Sequence, residues 1–261
     1  MKEKAKAAEE NAINTETTET AIESLIDHYK KIIINGRTVA CPFWMNYDYV
    51  YKDTPYYKYF PKGGKRSPDE IRDLIVDKLN STGFDIVHAS EEQIGLFFLE
   101  NGVGVDCSGL VYQCLKKAYI TLGGSDFKKS IFGVYGEPKV VSRIGVKDLI
   151  LPVNSFPVSD VTLVRPADFI NFGHTHCIAI INRIDDKISC VHASNEILDS
   201  GIHEFSITIT NPSESIFHQH WEEYSMDGVP YNEGLLMRVK VDDGVKRLRI
   251  IEELYRRKTI D

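Results

Sequence analysis

Gly104-Val-Asp-Cys-Ser-Gly-Leu-Val111 is where the chain changes character. Its glycines allow a tight turn, Asp106 is a residue type that caps helices, and Leu110, Val111, Cys114, Leu115 and Ala118 then recur at helical spacing to about Tyr119. A turn-rich stretch follows, Gly123 to Ser159. Beyond it, Asp168 to Phe172, His176 to Ile184, Lys187 to Ala193, Ile202 to Thr210 and Leu235 to Val241 read as strands from their Ile, Val, Phe and Thr content. One helix followed by consecutive strands predicts an α+β fold, a helix packed on an antiparallel sheet, rather than a parallel βαβ arrangement.

Upstream the signals are helical. Ser67-Pro-Asp-Glu70 combines an N-cap, a proline at the first helical position and a capping-box Glu, so a helix is expected from about Ser67 to Asn80 and a stop at Ser81-Thr-Gly83. Ser90-Glu-Glu-Gln93 opens a second helix through Ile94, Phe97 and Phe98, ending near Asn101-Gly102. Ile22, Leu25, Ile26, Tyr29 and Ile33 recur with helical spacing and predict a short amphipathic helix. From Cys41 to Phe60 aromatic residues crowd together, and packing of an extended arm over the core is the favoured reading over a ligand platform. Residues 1–20 have almost nothing to bury and are expected to be a disordered tail.

The chain has 261 residues, and 31 Lys and Arg against 38 Asp and Glu leave a net charge of −7. That balance argues against a protein built to neutralise nucleic-acid phosphates. No stretch approaches the roughly 18 uninterrupted apolar residues of a membrane span, and Met1 to Thr20 has no apolar block of the signal-peptide kind. Neither membrane nor nucleic acid is therefore expected as a partner. Cys41, Cys107, Cys114, Cys177 and Cys190 form an odd set without a CxxC pair, which fits reduced thiols in a cytoplasm better than a disulfide framework. No Gly-rich phosphate loop is present, and the chemistry proposed below needs no cofactor.

Cys107 falls where a glycine-containing turn enters a helix, so backbone N–H groups and the positive end of the helix dipole favour its thiolate. Cys114, two turns on, has apolar neighbours and reads as core. A nucleophilic Cys needs a base, and the β region offers His174, His176 and His192. Period two places His176 with Ile178 and Ile180 and turns Cys177, Ala179 and Ile181 to the opposite face; His192 goes with Ile188 and Cys190. If a turn at Asp185-Asp186 joins the two strands, a two-residue loop separates His176 from His192, and only an odd loop or a bulge brings them onto one face.

These blocks resemble a known family. Asp-Cys-Ser-Gly-Leu-Val at 106–111, the strand opening with His176, and Val191-His-Ala-Ser194 are similar to the signature blocks of NlpC-type cysteine endopeptidases, which have a papain-like fold; Pro166-Ala-Asp-Phe-Ile-Asn-Phe172, with Asp168, resembles a further block. The likeness spans residues 101–210 and is most specific at the Cys block. It implies cleavage of cell-wall peptides beside D-glutamate, with Cys107 as nucleophile, His176 as base, His192 orienting it, and Asp106 and Ser108 near the amino end of a peptide or muropeptide substrate. It also implies a papain-like catalytic domain over residues 101–261, preceded by a helical and aromatic extension over residues 21–100. One departure is plain: where the family carries a Tyr in a Trp-Gly-Gly-like segment ahead of its Cys, this chain has Gly95-Leu-Phe-Phe-Leu-Glu100.

Two other classes compete. His174, His176, Cys190 and His192 offer four ligands that a tetrahedral zinc ion would use, although their spacing is not a common zinc pattern. A catalytically inactive module of the same fold would instead use the aromatic arm to grip a glycan or a protein. His28, His88, His203, His218 and His220 lack a convergent context and read as surface or packing residues.

Overall fold

The computed structural model describes residues 17–45, 63–133, 136–138, 144–173, 175–195, 201–236 and 239–260. Helix α1 (Thr18–Lys30) begins earlier than its apolar stripe, because the Thr17 hydroxyl accepts the amide of Thr20 at 3.1 Å and caps it. A hairpin of β1 (Ile32–Ile34) and β2 (Arg37–Val39) turns on Asn35-Gly36, both at positive φ (51° and 83°), the conformation this dipeptide favours. Helices α2 (Pro68–Thr82) and α3 (Glu91–Asn101) both open with the capping boxes read from the sequence. Helix α4 (Cys107–Thr121) comes next, capped by Asp106.

The rest of the chain builds the sheet: α5 (Val146–Leu149), β3 (Ser155–Pro157), β4 (Asp168–Phe172), β5 (His176–Ile184), β6 (Lys187–Ser194), β7 (Gly201–Thr208), β8 (His220–Trp221), α6 (Tyr231–Leu236), β9 (Gly244–Leu248) and α7 (Arg249–Ile260). Seven strands lie in the order β3-β9-β4-β5-β6-β7-β8, every neighbouring pair antiparallel. The α+β expectation holds. One strand does not: the Leu, Met and Val content of Leu235 to Val241 predicts an extended segment, whereas Leu235 and Leu236 end α6. The strand of this region is β9, whose Lys246 and Arg247 disguise it; both are buried, and Arg247 pairs with Asp168 of the adjoining β4.

Alternation gives the sheet two apolar faces. Phe169, Cys177, Ala179, Ile181, Val191 and Ala193 face the helices and share one core with Ile22 and Ile26 of α1, Ile71 and Ile75 of α2 and Leu110 and Leu115 of α4. Ile170, Phe172, Ile178, Ile180, Ile188 and Cys190 face the other way, beneath Phe217, Trp221 and Tyr231. The described part of the extension thus adds to the same core as the helix that starts with Cys107. Of the aromatic arm, Trp44 packs as expected and Phe43 bridges to Val105, while Tyr47 to Phe60 lie outside the described residues.

Candidate active site

Three pieces of chain meet at the N-terminus of α4. Val105 bridges to Phe43, Gly64 and Lys65, and the Asp106 amide donates to the Gly64 carbonyl at 3.0 Å. Gly109 makes this approach possible: a Cβ there would lie 1.8 Å from the Gly64 oxygen. Gly104, at φ 145°, serves similarly, since its Cβ would stand 2.6 Å from the Pro42 carbonyl oxygen.

Asp106 caps the helix, its Oδ1 accepting the Gly109 amide at 2.7 Å and the Ser108 hydroxyl at 3.0 Å. The Lys65 ammonium lies 2.5 Å from the same oxygen and also donates to Ser108 Oγ. Lys65, Asp106 and Ser108 are 7%, 4% and 6% exposed, so the polar atoms of Asp106 and Ser108 face an internal cation. Burial pushes the Asp106 carboxyl up and the Lys65 ammonium pulls it back.

On the sheet side, Cys107 Sγ lies 3.8 Å from the carbonyl oxygen of Thr175, at the start of β5. Cys177 and His176 of β5 act on the sulfur from the sheet side. The Cys177 hydrogen bond foremost, then the charge and hydrogen bond of His176 and the charge of Lys65, hold Cys107 well below the ordinary thiol range against the opposing effect of burial. Cys177 shifts the other way, pushed well up by burial and by Cys107. Cys114 is pushed up to about 12 by burial, as a core thiol should be.

His176 Nε2 and His192 Nδ1 hydrogen-bond at 2.9 Å. The loop between their strands is the two-residue turn that alone would part them, Ile184 pairing with Lys187 across Asp185-Asp186. A bulge between Ile180 and Asn182 restores the match: Ala179 pairs with Val191 and Ile180 with Cys190, so even-numbered residues of both strands share a face. His192 is 0% exposed, and burial first, then the charges of His176 and His203, hold it well below the usual imidazole range. Its Nε2 has no hydrogen-bond partner among the described residues, which further disfavours a charged ring. For His176 to use Nδ1 as a base its Nε2 must carry the proton, and a neutral His192 then accepts it at Nδ1.

The structure brings Cys107, His176, His192, Asp106 and Ser108 together; His174 lies outside the described residues. His176 and His192 spend one nitrogen each on one another, Cys190 is buried in the apolar cluster, and among the described residues no group of three or more His, Cys, Asp and Glu side chains is placed to hold a metal ion.

Sequence reasoning missed several residues of the site. Lys65 had only the preceding Gly-Gly turn as a signal. Tyr231 sits 5.3 Å and 6.2 Å, ring to ring, from His192 and His176, and His203 lies 5.9 Å from His192, so His203 belongs to the surroundings of the site. A cavity of about 290 Å³ lined by Val39, Cys41, Ile94, Phe98, Ile202 and His203 adjoins this histidine. Asp168, matched to a family block, is structural: it accepts from Arg247 at 2.7 and 2.8 Å and from the Arg165 amide at 3.0 Å. No helix among the described residues is long and apolar enough to cross a membrane. Compared with family models, curated proteins and solved structures, the chain matches none.

Proposed function

We propose that the chain is a cysteine-nucleophile amide hydrolase of papain-like architecture, an NlpC-like peptidase acting on cell-wall-type peptides at γ-D-glutamyl bonds. The observation that carries the reading is that Cys107, at a helix N-terminus, lies 3.8 Å from the carbonyl of Thr175, the residue before a His176 that is hydrogen-bonded to His192 at 2.9 Å. His176 takes the thiol proton at Nδ1 while its Nε2–H donates to neutral His192. The sulfur attacks the substrate carbonyl, and the backbone N–H of Cys107, at the first turn of α4 where amides lack intrahelical partners, helps hold the oxyanion. His176 then returns the proton to the leaving amine and activates the water that hydrolyses the thioester. The substrate class rests on the resemblance of the motif blocks, and unpaired thiols fit a reducing, cytoplasmic setting.

Two measurements on the full chain test this. Native protein is expected to alkylate at Cys107 well below pH 8.5, the ordinary thiol range, while Cys41, Cys114, Cys177 and Cys190 stay protected. Peptides with a γ-D-glutamyl bond are expected to be cleaved in preference to α-linked ones, and Cys107→Ala to abolish cleavage with an unchanged fold. Retained turnover in that variant would falsify the nucleophile assignment; cleavage of α-linked peptides alone would overturn the substrate.

A further inference from the structure

Resting on that reading of Cys107, we propose that Lys65 is an electrostatic positioning residue of the site: its buried ammonium, held between Asp106 and Ser108, offsets the carboxylate that would otherwise oppose a negative sulfur on the residue between them. Helix α4 needs Asp106, whose carboxylate caps Gly109 at 2.7 Å. The same carboxylate is a negative charge one residue from the nucleophile, at a depth where little water screens it. A cap of this kind and a thiolate are in conflict, and a cation reaching both Asp106 and Ser108 removes the conflict.

The backbone shows that the lysine is delivered to this point. The Gly64 carbonyl accepts the Asp106 amide at 3.0 Å, the Lys65 carbonyl accepts Gln113 Nε2 at 2.8 Å, and Gly109 leaves the room in which residues 64 and 65 lie. The side chain of Lys65, 8% exposed, thereby ends beside the α4 N-terminus instead of in solvent. Among the described residues, the titratable groups that act on Cys107 are Asp106 from its own cap, Lys65 from the extension, and His176 and Cys177 from β5. Lys65 and Asp106 have opposite signs at this sulfur, which separates an electrostatic role from a packing role.

The test is the pH profile of Cys107 alkylation by iodoacetamide, resolved by site, in the full chain and in Lys65→Met, Lys65→Arg and Asp106→Asn. Asn caps a helix as well as Asp does, so the last change keeps the cap, removes the negative charge and leaves Ser108 as the partner of the Lys65 ammonium. Lys65→Met is expected to raise the alkylation midpoint by about one pH unit and Asp106→Asn to lower it by a similar amount. Lys65→Arg keeps the charge and the wild-type midpoint. Shifts of Lys65→Met and Asp106→Asn in the same direction, or no shift in Lys65→Met, overturn the role. Should Lys65→Met not fold, Lys65→Gln, which keeps a donor towards Asp106 and Ser108 without the charge, decides: a raised midpoint supports the inference, and an unchanged or lowered one refutes it. An ordinary thiol midpoint for Cys107 in the wild type would instead overturn the nucleophile reading, and this inference with it.

Discussion

His192 is wholly buried and hydrogen-bonded to His176, the bond that orients the base in the proposed mechanism, so what it loses in hydration it must recover there. A neutral acceptor serves a base that becomes positive, since the His176 Nε2–H is then held without a second cation in the pocket. His192→Phe fills the space, removes the acceptor, and is expected to lower kcat by about 10²-fold or more with little change in KM. The same burial makes a statement about pH. A histidine whose folded value is depressed binds its proton more readily when unfolded, so its contribution to stability is present above the unfolded value of about 6.5 and is lost as pH falls below it. Chemical denaturation at pH 7 and pH 5 is expected to show that loss in the wild type and a smaller one in His192→Phe. An equal loss in both would show that His192 titrates normally in the folded protein.

Strand β5 shows how much one element decides. Its apolar alternation is readable, and so is the turn at Asp185-Asp186, yet those two facts alone put His176 and His192 on opposite faces. The bulge between Ile180 and Asn182 corrects the phase, and no Gly or Pro marks it in Ala-Ile-Ile-Asn182. After the bulge Asn182 reaches Glu19 of α1, a contact between residues distant in sequence that no local pattern contains. Strand β9 was illegible for a related reason. A buried Arg247 looks like a surface residue until Asp168 of β4 is seen opposite it, forming a two-pronged ion pair extended by Glu252 of α7. Asp168→Ala leaves that guanidinium without its main partner and is expected to cost about 3–5 kcal/mol in denaturant unfolding. A loss under about 1 kcal/mol would mean that water or Glu252 replaces the carboxylate.

At the scale of the whole molecule, the described part of the extension and α4 are one packing unit. Ile22, Ile26, Tyr29, Ile71 and Ile75 bury against the core that α4 shares with the sheet, and the Tyr29 hydroxyl donates to the Arg66 carbonyl at 2.7 Å beside Lys65. A chain beginning at residue 101 would expose that face of α4 to water and lose the lysine at its tip. Such a fragment is expected to show no cooperative thermal transition, whereas the full chain melts as one unit; an independently cooperative fragment would place the extension outside the core. The sequence by itself determined the helix caps, the strand alternation and the mixed class of the fold, because capping and periodicity act over a few neighbouring residues. Only the tertiary structure decided that His176 and His192 share a face and that Lys65 fills the space between Asp106 and Ser108. Those outcomes depend on strand phase and on close backbone approach between segments far apart in the chain, and the free energy of such contacts is set by what each segment meets, not by what it is.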